Sequence, residues 1–333
     1  MRQRELDAAP AGTSPAAFKS LLLRANSTVG AQNWRLLIAL ALLVAVIASQ
    51  SEYFLTTANL LIIGQGVAVI GVLAVAETVV IVSGGLDISL GSLCGLSGVV
   101  TAIVIRDTHS AGLGIAAGLA AGALGGLVNG LIITVGRVNP VIATLATLSA
   151  FEGMALLVAK GAVIGIQDDT FNLIGSGRVL GVPIPIVILV SVFAVGHITM
   201  RYSVVGRHIY AIGANAVAAR LAGIPVDRYK LGIYTMSGVV AGVAGMILSA
   251  RATGATPLQG QGLEFDVVTA VILGGASLAG GRGTMAGSIL AVFMIGSLYN
   301  GLILAQVESY WQFIAKGVLL AAAVIIQERR RRR

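Results

Sequence analysis

From residue 35 onward the chain alternates long apolar stretches with short polar breaks. Many stretches reach eighteen residues or more, long enough to cross ~30 Å of hydrocarbon as an α-helix. They are continuous rather than alternating with period two, which disfavours a β-barrel and predicts an all-α polytopic membrane protein. The pattern places about ten spans, at 35–50, 58–82, 89–105, 111–135, 139–159, 184–200, 231–250, 266–281, 284–304 and 310–327. Glycine interrupts the second, third and eighth, marking them as candidates for broken or re-entrant spans. Residues 1–33, polar and carrying Pro10 and Pro15, read as a loose tail. Residues 34–327 form the membrane domain, and 328–333 form a basic tail.

Small residues recur inside the spans, as in GIAAGLAAGALGGLVNG (114–130) and GVVAGVAG (238–245). Lipid gives helices no hydrophobic drive to associate, so glycines at four-residue spacing serve close backbone approach.

Composition agrees with burial in lipid. The chain is 56% apolar and 11% charged, whereas a soluble domain carries roughly a quarter charged residues. A net charge of +8 would point to nucleic acid in a soluble protein, but here the charge is distributed by side. With both termini cytoplasmic, seventeen of the 22 Lys and Arg fall on inner segments. Four fall outside, Arg106, Lys160, Arg178 and Arg251, and Lys316 lies within a span. That asymmetry is the positive-inside rule, and no nucleic-acid partner is expected.

Candidate chemistry is sparse. None of the four lysines (Lys19, Lys160, Lys230, Lys316) follows a glycine, so the chain holds no Gly-Lys-Ser/Thr phosphate loop. His109, His197 and His208 lack metal-ligand spacing, and the lone Cys94 permits neither an internal disulfide nor a thiolate cluster. No Gly-x-Ser-x-Gly elbow occurs. No enzyme, metal or cofactor in this chain is expected. Charges within spans are the remaining pointers to a polar path. Glu77 lies about five residues from the inner end of its span, within reach of headgroups. Glu152 lies nearer mid-depth, either lining a path or capped by a neighbouring helix. Lys316 is expected to snorkel.

One cytoplasmic stretch stands apart, GRHIYAIGANAVAARLAGIPVDRYK (206–230), within a loop spanning 201–230. Asn215 is a good N-cap, alanines follow, Gly223 suits a left-handed C-terminal position, and Pro225 comes two residues later. The predicted helix is about eight residues, too short to be stable alone in water. Val217, Leu221 and Ile224 fall at i, i+4 and i+7 as one apolar stripe. Such a helix can lie on lipid headgroups, pack on the protein's own inner face, or dock into a groove on a soluble partner.

The segment YAIGANAVAARLAGIPV (210–226) resembles the loop that carries YAIGxN…AARLxGIPV in ribose-type sugar permeases of ATP-binding-cassette importers. Three further stretches resemble the same family in the same order. They are ETVVIVSGGLDISLGS (77–92), VNPVIATLATLSAFEGMALLVAKG (138–161) and VILGGASLAGGRGTMAGSILA (271–291), so the resemblance covers about 58–327. It implies that Arg207, Tyr210, Gly213, Asn215, Ala218, Ala219, Arg220, Leu221, Gly223, Ile224 and Pro225 form a coupling element for a separate ATPase. It also implies that Glu77, Gly84, Gly85, Asp87, Ser89, Gly91 and Ser92 are a signature near the translocation path. Asn129, Thr144 and Glu152 are candidate polar positions along that path. Asp87 has two readings here, a cap for the next helix or a contact to substrate. Two departures from the family stand out. Ala216 and Val217 replace acidic residues common after the Asn, so docking would lean on shape and Arg220. Glu77 stands where many relatives carry a neutral polar residue.

The resemblance implies a multi-pass protein of the bacterial inner membrane, two copies forming a path for a monosaccharide or similar polyhydroxylated solute. ATP and Mg would be bound by the partner ATPase. An extracytoplasmic sugar-binding protein would meet the outer loop 160–183, with Asp168, Asp169 and Arg178. The alternatives are a stand-alone secondary carrier and a passive channel.

Overall fold

In the computed structural model, which describes residues 15–331, thirteen helices follow one another. They are α1 (Pro15–Gln50), α2 (Thr57–Val82), α3 (Leu90–Thr108), α4 (Ala111–Thr134), α5 (Pro140–Ala159), α6 (Asp169–Ser176) and α7 (Ile184–Tyr202). Then come α8 (Val204–Ala214), α9 (Ala216–Leu221), α10 (Val226–Arg251), α11 (Leu263–Leu273), α12 (Met285–Leu304) and α13 (Ser309–Arg331). Eight of these, α1 to α5, α7, α10 and α12, are long and apolar enough to cross a membrane. Residues 1–14 of the predicted loose tail, and 332–333 of the basic tail, lie outside the described residues.

Short polar residues set where the helices start. Thr56, Ser110, Ser203 and Thr284 each accept a backbone N–H three residues on, opening α2, α4, α8 and α12. Asn139 does the same for α5 through Val141, with Pro140 fixing the first turn. α2 is the pillar of the bundle: 78% of its span is buried, against 17% for α7, which turns most of its surface outward. Val67, Val72 and Leu73 of α2 pack with Leu93 of α3, Val267 and Val271 of α11, and Val292 and Ile295 of α12 in one core cluster.

Glycine-to-glycine packing joins α4 to α10. A Cβ on Gly122 would overlap the Gly238 carbonyl, and one on Gly238 would overlap the Gly122 carbonyl. The two backbones touch, as the spacing of small residues predicts.

Three expectations need correction, and a fourth, the broken eighth span, is borne out. α2 and α3 are unbroken. Their glycines are notches, not breaks: Cβ atoms on Gly64 and Gly71 would come within 2.6 Å of Ile186 and Leu189 side chains on α7. The eighth span is an eleven-residue helix, α11, that stops after Leu273 at Gly274 and Gly275. At 1.5 Å per residue it reaches ~16 Å, half a bilayer. Residues 15–33 belong to α1 rather than to a loose tail, since Pro15 suits a first helical turn and Ala16, Ala17 and Leu21 to Leu23 are good helix formers.

The chain ends gather on two sides. On one, Gly281 N–H donates to the Val82 carbonyl at 2.9 Å, and Arg137 pairs with Asp227 at 3.2 Å. This side carries α8, α9 and the basic residues assigned to the cytoplasm. On the other, Ile164–Gly165 pairs antiparallel with Gly254–Ala255, and the Ile166 N–H donates to the Thr253 carbonyl. α11 begins on the second side, and the glycine-rich segment after it arrives at the first. Helix and segment together complete the crossing.

Candidate functional site

Past Val82 the chain does not leave the bundle. Ser83, Gly84 and Gly85 N–H groups fold back onto the carbonyls of Val79, Ile81 and Val80. Gly84 sits at φ 80°, the left-handed region where a side chain is strained. A Cβ on Gly85 would overlap the Tyr234 hydroxyl. The turn thereby inserts Leu86 to Ser89 between α2, α4, α5 and α10.

Asp87 is the centre of what collects there, and it is fully buried. One carboxylate oxygen accepts from the Ser89 N–H at 3.1 Å and the Ser89 hydroxyl at 2.6 Å. The other accepts from the Ser237 hydroxyl at 3.1 Å. Its own N–H donates to Glu77 Oε1 at 3.2 Å. Asn129 donates to the Ser89 hydroxyl at 2.8 Å and accepts from Thr147 at 2.6 Å. Thr144 and Tyr234 both donate to the Leu86 carbonyl, at 3.2 and 3.4 Å. Glu77 Oε2 is buried without a partner. The result is a polar knot joining five elements in a setting where each unpaired group costs about 1–3 kcal/mol.

The structure therefore brings together Glu77, Asp87, Ser89, Asn129 and Thr144, and Ser92 adds a bond to the Ser89 carbonyl at 2.9 Å. Glu77 does not reach headgroups; the inserted turn covers it completely. Asp87 holds the start of α3 through the Ser89 N–H, but Ser89 is the residue at the N-cap position. Gly91 belongs to packing instead, with a Cβ there 2.5 Å from the Gly260 carbonyl. Glu152 stands apart from the knot and accepts from Gln261 at 3.2 Å. Sequence reasoning missed Thr147, Ser237 and Tyr234, which look like ordinary span residues until helix packing faces them inward.

Lys316 does not snorkel. Its ammonium donates to Asp266 at 2.6 Å and lies 5.1 Å from the centre of the Tyr299 ring. Tyr299 in turn donates to the other Asp266 oxygen at 3.2 Å. Asp266 is almost wholly buried, so a partner inside the bundle outcompetes the interface.

At the basic end, Asn215 Oδ1 accepts from the Val217 and Ala218 N–H groups, both at 3.0 Å, and opens α9. The helix has six residues rather than eight, because the chain turns at Gly223, φ 84°. The stripe divides there. Val217 and Leu221 are 67% and 85% exposed, while Ile224 turns inward against Ile212, Ala219 and Val226. Ala218 and Pro225 are exposed beside the pair. Arg207 is exposed as well. Arg220 is exposed and pairs with Asp227 at 3.0 Å, the carboxylate that Arg137 also uses. On the inward face of α8, Tyr210 donates to the Gly283 carbonyl at 2.8 Å, and burial pushes its phenol above its ordinary pKa.

A groove of about 830 Å³ runs beside the knot between α2, α7 and α10. Val75, Val192, Met200, Met236 and Val240 give it an apolar wall that offers a polar solute few hydrogen-bond partners. Among the described residues no group of three or more His, Cys, Asp and Glu could hold a metal ion.

The bundle, with its buried polar turn and a capped, exposed helix at its basic end, is that of a polytopic membrane protein, and its relatives make it a permease, a transport component. The chain belongs to the family described as branched-chain amino acid transport system / permease component, which it matches over residues 58–323. It is similar to the ribose import permease protein RbsC of Escherichia coli strain K12, 39% identical over 288 residues, or 85% of this chain and 90% of the relative. RbsC of Bacillus subtilis strain 168 is 40% identical over 285 residues, 85% of this chain and 88% of the relative. The L-arabinose transport system permease protein AraH of Escherichia coli strain K12 is 36% identical over 287 residues, 86% and 88% of the two chains. No solved structure matches at a significant level.

Proposed function

We propose that this chain forms the membrane passage of an ATP-binding-cassette importer for a pentose such as ribose or arabinose, driven by a separate ATPase subunit gripping α8 and α9. The sugar reading is supported by relatives named for ribose and arabinose import that align over most of both chains. The coupling reading rests on one observation above all. α9 is too short to persist by itself, yet it is capped by Asn215, backed by the Ala219 cluster, and presents Val217 and Leu221 to the aqueous side. Two exposed apolar side chains on a braced helix are the anchors of a helix-in-groove contact.

The ATPase binds ATP and Mg; among the described residues of this chain no cluster of His, Cys, Asp and Glu could hold a metal ion. A sugar-binding protein on the opposite side meets the segment 160–183, where Asp168 caps α6, whose Asp169, Thr170, Leu173 and Ser176 are exposed. Two copies of the chain complete the passage in the bacterial cytoplasmic membrane. The test is reconstitution with the ATPase and binding protein, following D-ribose and L-arabinose separately. Import that requires both partners and ATP is expected. Accumulation by this chain alone would assign it instead to the secondary carriers.

A further inference from the structure

We infer that the coupling element acts on the polar knot through a backbone junction at Gly213, and not only through the spans to which it is spliced. This rests on the coupling reading above. Gly213 lies in the last turn of α8. A Cβ at this position would overlap the Val82 carbonyl oxygen and come 2.6 Å from the Gly281 nitrogen. Those two groups are hydrogen-bonded to each other at 2.9 Å. A Cβ on Gly280 would stand 2.6 Å from the Gly213 carbonyl oxygen and 2.9 Å from the Gly84 Cα. Three segments therefore meet main chain to main chain: the end of α8, the turn after α2, and the segment between α11 and α12.

Contacts of this kind transmit displacement well. A side chain can absorb a push by changing rotamer, but a peptide unit cannot, and close-packed interiors compress little. Tyr210, one turn before Gly213, ties the same helix to the Gly283 carbonyl at 2.8 Å. From Val82 the push has five residues to travel to Asp87. On the way is Leu86, whose carbonyl holds Thr144 of α5 and Tyr234 of α10. A movement of α8 thus reaches α2, α4, α5 and α10 together, through one turn. Gly213 and Tyr210 are positioning residues; neither touches the solute.

The test uses the chain co-assembled with its ATPase and binding protein in proteoliposomes, with D-ribose and L-arabinose as probes. The readout is sugar imported per ATP hydrolysed, which a loss of folded protein does not change. Gly213→Ala forces the junction apart, and the ratio is expected to fall about tenfold or more while the ATPase still co-purifies. Tyr210→Phe keeps the volume and removes one hydrogen bond, so it remains informative if Gly213→Ala does not assemble; a fall of about threefold to fivefold is expected. Gly232→Ala, where the added methyl meets open space, should leave the ratio unchanged. An unchanged ratio in Tyr210→Phe and in any assembled Gly213→Ala overturns the junction while leaving the coupling reading intact. An unaltered chain that imports sugar without the ATPase overturns the coupling reading, and the junction with it.

Discussion

The knot around Asp87 and the clamp formed by Lys316, Asp266 and Tyr299 solve one problem in two ways. Both hold a carboxylate inside a helical bundle where hydrocarbon surrounds the protein. The clamp uses one opposite charge: an ammonium 2.6 Å from the carboxylate, with a hydroxyl on the remaining oxygen. The knot uses no cation at all. Its carboxylate is held by two hydroxyls and a backbone N–H drawn from α10 and the turn itself, with further layers from α4 and α5. A clamp fixes three helices, α11, α12 and α13, to one another. A knot makes the position of one turn depend on four helices at once.

That contrast can be broken experimentally, beginning with the clamp. Lys316→Ala leaves Asp266 buried without its countercharge and is expected to destabilise the chain by about 3 kcal/mol or more, read by unfolding in detergent. Replacing the whole clamp with Lys316→Met, Asp266→Leu and Tyr299→Phe should return stability to within about 1 kcal/mol of the parent, because well-packed apolar groups substitute for a buried ion pair. Asp87→Ala strips an acceptor from three donors and should cost about 2–3 kcal/mol by the same assay. Unlike the clamp, this loss should be matched by lost sugar import even in the protein that remains folded. Thr147→Val removes a single bond to Asn129 at the margin of the knot, and a loss of about 1 kcal/mol is expected. If Asp87→Ala imported sugar normally, the knot would be another fastening and the contrast would vanish.

The two regions also differ in how far they could be read from the chain alone. The capped helix α9 was legible because its determinants are local. Asn215, the alanines, Gly223 and Pro225 lie within a dozen residues and act on one another's backbone. What misled was the last member of the stripe, since the left-handed turn at Gly223 rotates Ile224 away from Val217 and Leu221. Glu77 and Asp87 were visible as polar residues in a family signature, but their partners were not. Ser237 lies 150 residues from Asp87, and Asn129 lies 40 from Ser89. Nothing along the chain announces which serine faces inward until α4 and α10 are brought together. Lys316 was judged by its own depth, whereas Asp266, 50 residues earlier, decides its place. Eight of the ten predicted spans were readable because lipid imposes their length. α11 is too short, its crossing being shared with a non-helical segment. α13, predicted as a span over 310–327, is not among the eight helices that the described residues show to be long and apolar enough to cross a membrane.

The shortness of α11 carries a consequence for biogenesis. A complete helix can partition from the translocon into lipid as an independent unit, its peptide groups already satisfied. Residues 274–284 are only partly satisfied in this way: the amides of Gly274, Gly275 and Ala276 bond back to α11, but the Gly281 amide and the Gly283 carbonyl find their partners in Val82 and Tyr210. This stretch must therefore wait at the insertion site, or in water, until the earlier spans have assembled a polar berth to receive it, so the order of synthesis is itself a requirement of the architecture.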